Sequence, residues 1–181
     1  MIPGARKASD SYHTCRWYAC RTRPRAEKRA GQLLRLRGVE SYVPLIEQER
    51  QWSDRTKRVG FPLFPGYVFA QFSLAMVHEV LGTAGVVTIL RSDGNPAPVR
   101  SEELESIRVL VACVNAGNPP PEPAEFLEAG QEVIVADGPF SGIRGVLVED
   151  RGRTRVVIRL SALRRALSVE LPREILRAAA G

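Results

Sequence analysis

Phe61-Pro62-Leu63-Phe64-Pro65-Gly66-Tyr67-Val68-Phe69-Ala70-Gln71-Phe72 is the stretch on which the fold turns. It holds four of the six phenylalanines in a 181-residue chain, with a tyrosine beside them, more aromatic bulk than one small sheet normally places in its own core. Strand alternation puts Val68, Ala70 and Phe72 on one side and Tyr67, Phe69 and Gln71 on the other. A two-layer domain buries both sides only if something covers the second. Two readings stay open: a cover from within the chain, by a helix or a second domain, or a hydrophobic docking surface for another protein.

Working outward, Arg16 to Arg21 reads as a strand led by Trp17 and Tyr18. A helix is expected from Pro24 to Arg37, capped by Thr22 and stopped by Gly38. Ala26, Ala30, Leu33 and Leu34 recur at helical spacing as its core stripe, while Arg25, Lys28, Arg29, Gln32 and Arg35 gather on another, strongly basic face. Glu40 to Glu49 and Arg58 to Phe72 read as a long hairpin with a polar tip over Gln51 to Lys57. Leu74 to Leu81 is expected to be helical, Val86 to Leu90 extended, and Ser101 to Val114 helical with Ser101 as its cap. This order predicts an α+β sandwich: an antiparallel sheet flanked by helices.

Gly117 to Ala124 carries four prolines in eight residues, a composition that favours extended backbone and reads as a linker. Beyond it, strands are expected over Glu132 to Ala136, Gly145 to Glu149, Arg155 to Leu160 and Ala166 to Val169, separated by turn residues, which predicts a small β-barrel. Leu160, Leu163 and Leu167 also fit a helical spacing, so pattern alone leaves the conformation of the last third open. The expected division is a disordered tail over 1–14, a first domain over 15–116, a linker over 117–126 and a second domain over 127–181.

Composition narrows the function. No apolar run approaches the roughly 20 residues of a membrane-spanning helix, and no apolar segment follows Arg6 and Lys7 as a secretion signal would require, so a cytoplasmic protein without a membrane partner is expected. Cys15, Cys20 and Cys113 lack the spacing of a disulfide framework or a zinc site; they are expected to be reduced thiols, at least partly buried, with no metal and no cofactor. Cys113 with His78, or Cys20, is the nearest approach to a nucleophile and lacks a convincing base, which argues against an enzyme. Charge is localised. Residues 1–58 hold 14 Lys and Arg against 6 Asp and Glu, 59–116 hold 3 against 5, and 117–181 hold 9 against 9, for a formal net of +6. Such an excess fits a polyanion-binding face or a solvated surface.

The Trp17-Tyr18 strand, the Phe64-Pro65-Gly66-Tyr67 run and the later Gly138-Pro139-Phe140-Ser141-Gly142-Ile143-Arg144-Gly145, in this order and spacing, resemble the NusG family of transcription elongation factors over Arg16 to Leu176. The resemblance implies an N-terminal NGN domain joined by a flexible linker to an SH3-like KOW barrel in a monomer. It implies docking of Trp17, Phe64, Pro65, Tyr67 and Phe69 on the clamp helices of the RNA polymerase β′ subunit, with Phe64 and Tyr67 flanking Pro65-Gly66 as a partly exposed aromatic edge. For Trp17 a core role is the alternative. Arg23, Arg25, Lys28, Arg29, Arg35 and Arg37 would then meet the non-template DNA strand through its backbone, with His78 matching the start of a base-reading element in specialised relatives, or lying idle on a helix surface. In the KOW region Gly138, Gly142 and Gly145 match turn glycines around Phe140. The Ser161 to Leu167 loop, with Leu163 and Arg165, departs from the loop by which general NusG proteins contact Rho and a small-subunit ribosomal protein. That departure resembles the specialised RfaH-type antiterminators of long operons. The alternatives are a general NusG coupling polymerase to Rho or ribosomes, and an RNA-binding translation or ribosome protein carrying a KOW module.

Overall fold

The computed structural model describes residues 12–51, 56–128, 130–150 and 152–179. Most of the expected tail, and the centre of the hairpin tip, residues 52–55, lie outside them. In chain order the elements are β1 (Arg16–Thr22), α1 (Glu27–Leu36), β2 (Glu40–Tyr42), β3 (Leu45–Gln51), β4 (Thr56–Pro62), β5 (Tyr67–Phe72), α2 (Val77–Leu81), β6 (Val86–Ile89), β7 (Arg91–Ser92), β8 (Asn95–Pro96), β9 (Pro98–Val99), α3 (Ser101–Asn115), β10 (Glu122–Ala124), β11 (Glu132–Val135), β12 (Arg144–Asp150), β13 (Arg153–Leu160), β14 (Arg165–Glu170) and β15 (Leu176–Ala178). The architecture is mixed α+β, with a helix-bearing sheet from the N-terminal part and an all-β sheet from the C-terminal part.

The chain divides into two compact units. One comprises the residues up to Val43 with Pro62–Val99; the other comprises Pro44–Phe61 with the residues from Arg100 onward. In the first, β1 is central: it pairs antiparallel with β5, Arg16 opposite Phe72 through Arg21 opposite Tyr67, and also with β6 and β9. β2 extends the sheet beyond β5. One face of this sheet presents Tyr18, Cys20, Val68, Ala70, Phe72 and Ile89 to Ala30 and Leu34 of α1 and Val80 of α2, forming one continuous buried cluster. Tyr18 and Phe72 stack at its centre with ring centroids 4.7 Å apart.

The helix α1 ends as expected and begins later than expected. Gly38, at φ +76, sits where the chain turns left-handed; its N–H bonds the Arg35 carbonyl at 2.9 Å and the Val39 N–H bonds the Leu34 carbonyl at 3.0 Å, a complete Schellman closure over a Leu34/Val39 apolar contact. At the other end, Arg25 takes φ 62 and breaks the helix, so Thr22 belongs to β1; its hydroxyl is buried without a hydrogen-bond partner and caps nothing. The buried residues are Glu27, Ala30, Gly31 and Leu34: Ala30 and Leu34 lie in the core as expected, while Ala26 and Leu33 are half-buried and Glu27 and Gly31 join the core in their place. Ser101 likewise is the first helical residue of α3, with Arg100 at the cap position and no side-chain cap bond, while Glu102 and Glu103 occupy the first turn as expected.

In the second unit β3 and β4 form the expected two-stranded ribbon. Arg50 lies over the Phe61 ring and Asn115 of α3 holds the Leu45 carbonyl at 3.0 Å and the Glu47 N–H at 2.9 Å. The C-terminal sheet runs β10-β14-β13-β12-β11-β15, antiparallel throughout. The helical alternative for the last third fails: Ser161–Leu163 is one 3-10 turn and the flanking residues are strands. The expected linker is also part structure, because Glu122, Pro123 and Ala124 pair with Ser168, Leu167 and Ala166 as an edge strand. Proline tolerates this position because an edge leaves one side of the ladder without obligatory donors.

Candidate protein and nucleic-acid interface

The aromatic stretch is held from three sides at Gly66. The chain reverses between β4 and β5 with Gly66 at φ +84, a left-handed conformation that disfavours any side chain. Its carbonyl accepts the Thr22 N–H at 2.8 Å, tying the turn to the end of β1. Its N–H donates to the Glu27 carboxylate at 2.7 Å, tying it to the first turn of α1. Glu27 is only 5% exposed, so this bond is made away from water, where a charge-assisted contact counts for more. Sequence reasoning passed over Glu27; an acidic residue in the first turn of a helix was the visible signal, and its partner 39 positions on was not.

The turn directs its rings inward. Phe64 is 2% exposed and meets Phe69 edge-on with centroids 6.2 Å apart; Phe69 is fully buried and Trp17 is 9% exposed. The expected partly exposed Phe64/Tyr67 edge is therefore corrected: Phe64 contributes no open edge, and the accessible part of the turn is Pro65, exposed, and Tyr67, half-buried. Both faces of β5 are covered, as the pattern Tyr67–Phe72 shows with Val68, Phe69, Ala70 and Phe72 all buried.

Around this turn the cations fall into two groups. Arg23, Arg25, Lys28 and Arg29 are exposed, and none has an ion-pair or side-chain hydrogen-bond partner among the described residues. Arg35 and Arg37 are engaged within the fold. Arg35 donates to the Ser41 carbonyl at 3.1 Å and hydroxyl at 3.0 Å; Arg37 donates to the Glu79 carbonyl at 2.9 Å and the Thr83 hydroxyl at 3.4 Å, closing the C-terminus of α2. A cation at that end of a helix also meets the negative pole of its dipole. His78 is exposed on α2.

In the C-terminal sheet, Gly138 and Gly142 bound the turn after β11, and Phe140 between them is 7% exposed. Gly145 is a strand residue of β12, not a turn residue: a Cβ there would stand 2.6 Å from the Val157 carbonyl oxygen of the neighbouring strand. Leu163 is half-buried at the end of the 3-10 turn, Arg164 follows at φ 49 with its guanidinium 3.1 Å from Glu128, and Arg165 opens β14 on the exposed side.

Neither buried thiol is a ready nucleophile. Cys20 is fully buried and burial pushes its pKa up to about 12; Cys113 is buried, shifted upward by the same desolvation, and donates to the Pro139 carbonyl at 2.7 Å. Cys15 is exposed. Among the described residues no group of three or more His, Cys, Asp or Glu is placed to hold a metal ion, and no helix is long and apolar enough to cross a membrane.

A family model described as transcription termination factor nusG matches residues 15–108. The chain is similar to the transcription termination/antitermination protein NusG of Vibrio cholerae, 29% identical over 171 residues, covering 86% of this chain and 91% of that one. It is 30% identical to NusG of Yersinia pestis, covering 86% and 92%, and 31% identical to NusG of Escherichia coli strain K12, covering 74% and 71%. A solved structure describing domain interaction in Thermotoga maritima NusG aligns with a TM-score of 0.47 at 21% identity, covering 92% of this chain and 98% of that one.

Proposed function

The chain belongs to the NusG family of transcription termination/antitermination factors, which are not enzymes, and from that premise we propose that it docks on the β′ clamp helices of RNA polymerase through the turn that carries Pro65 and Tyr67. In this reading residues 15–116 act as the NGN domain and 127–181 as the KOW domain, in a cytoplasmic monomer. The observation that carries it is Gly66, pinned by Glu27 and Thr22, which fixes a turn whose accessible rim is Pro65 and Tyr67 while Phe64 is buried. A preformed rim loses little entropy on binding a helical partner.

On the same unit, Arg23, Arg25, Lys28 and Arg29 form the cationic face that would follow the backbone of the non-template strand, giving affinity without sequence choice; Arg35 and Arg37 would add charge while staying bound to Ser41 and Glu79. His78 is accessible for a base contact. Action would come from differential binding. A factor that contacts a closed clamp better than an open one by about 1.4 kcal/mol shifts their ratio tenfold.

Within the family, a specialised, RfaH-type role at selected operons would rest on the Ser161 to Leu167 sequence, whose residues differ from the partner-binding pattern of general members. The general role, coupling to Rho or a ribosomal protein through Leu163 and Arg165, is favoured instead by the relatives, which carry the general NusG name. Polymerase pulldown with Tyr67→Ala against wild type tests the docking, with retained circular dichroism as the control for folding. Undiminished retention of polymerase by Tyr67→Ala would refute it. Pulldown of Rho or the ribosomal protein by wild type, lost in a Leu163→Ala and Arg165→Ala double variant, would establish the general role.

A further inference from the structure

Helix α3 is buried along two stripes. Leu104, Ile107 and Val111 form one at i, i+3, i+7, and Ser106, Leu110 and Cys113 form another with the same period, one turn beyond Glu103. The second stripe is unusual in carrying polar groups beside Leu110, and each of them, with Glu103, bonds the C-terminal sheet. Glu103 accepts both the hydroxyl of Ser161, at 2.5 Å, and its N–H, at 3.1 Å. Ser106, 1% exposed, donates to the Glu102 carbonyl at 2.9 Å and accepts the Arg144 N–H at 3.0 Å. The Cys113 thiol donates to Pro139. Four bonds along one helix face, reaching the start of β12, the turn before it and the turn after β13, define a seat.

The Pro-rich segment is fastened at both ends of its prolines. The Asn118 N–H and side-chain amide both donate to the Cys113 carbonyl, at 3.1 and 3.0 Å, and Glu122 is already paired with Ser168. Only Pro119-Pro120-Pro121 lies between these ties, and a run of proline is stiff extended backbone. We propose that α3 is the docking seat of the C-terminal sheet, so that helix, proline strap and sheet move as one body, and that the strap is a brace where a flexible linker was expected. This stands whether or not the polymerase reading does.

Backbone 15N relaxation of the full chain tests it. Amides of α3 and of β11–β14 are expected to share one rotational correlation time. Ser161→Glu, which sets a second carboxylate against Glu103, is expected to abolish the sharing, with the sheet tumbling faster than α3; Glu103→Lys combined with Ser161→Glu is expected to restore it. Ser106→Val leaves the Ser161 turn untouched and carries the same expectation of loss. Unequal correlation times in the wild type would overturn the proposal. So would an unchanged shared time in both single variants, each with sheet chemical-shift dispersion retained, or failure of the charge-swapped pair to recover it.

Discussion

Removing the Glu27 carboxylate is expected to loosen the aromatic turn more than any other single polar change in the first unit. Glu27→Ala strips a charge-assisted bond from the Gly66 N–H, worth about 1.5–3 kcal/mol, and with it a first-turn acid that steadies α1 by about 0.3–1 kcal/mol. The expected loss is about 2–4 kcal/mol. Glu27→Gln keeps an oxygen at the same reach and forfeits the charge, so its loss should be about 1 kcal/mol. Gly66→Ala probes the same turn from the backbone side: a Cβ there meets nothing within 4 Å, leaving only the left-handed conformation at φ +84 to oppose it, about 1–2 kcal/mol. Urea unfolding followed through amide resonances of β1 and β5 reads all three, with an unchanged m-value marking a change in stability alone. Glu27→Ala within about 0.5 kcal/mol of wild type, or Glu27→Gln as damaging as Glu27→Ala, would refute the pinning.

Phe64→Ala should cost about 3–5 kcal/mol in thermal or urea unfolding because the ring is buried against Phe69, and Tyr67→Ala clearly less, since Tyr67 is half-exposed. A thiol reagent at pH 8 should label Cys15 in the native protein and spare Cys20 until unfolding. The raised pKa of Cys20 means that the folded state holds this proton more tightly. Its stabilisation is complete below the ordinary thiol value of 9.0 and is lost as pH climbs towards about 12, by about 1.4 kcal/mol per pH unit, a slope that Cys20→Ala should remove. Replacing both Lys28 and Arg29 by Ala should lower the salt slope of single-stranded DNA binding by about 1.4, measured by fluorescence anisotropy across a salt series. An unchanged slope would place the DNA elsewhere.

Much of this architecture was readable because it rests on local chemistry. Gly38 marked the end of α1, and Gly138 and Gly142 bounded β11 from the next strand, since each such position needs a residue type that the chain displays. The start of α1 was not readable: Thr22 and Pro24 imitate a cap and first turn, but β1 claims Thr22 for pairing with Val86, and Arg25 is turned left-handed before the helix begins. β10 escaped notice because prolines announce a linker, and only the register with Ala166 to Ser168, over 40 positions away, makes a strand of Glu122 to Ala124. At the candidate interface the exposure of Lys28 and Arg29 on α1 was legible from helical periodicity, whereas Arg25, expected on the same helix face, lies before the helix in a left-handed conformation. The burial of Phe64 was not legible, because it follows from how Glu27 and Thr22 orient a turn, a contact between segments that no spacing rule reaches.

The placement of Pro123 at the middle of β10 has a protective side. A sheet that ends in bare main chain is a template on which passing copies can stack, and stacking is how fibres grow. Here one of the two edge strands has a proline at its centre, with no N–H to offer a newcomer, and it sheathes the Ala166 to Ser168 rim beneath it. Cleavage of the chain just after Ala124 would let that sheath drift away, and the shorn C-terminal piece should then self-associate far more readily than the intact protein.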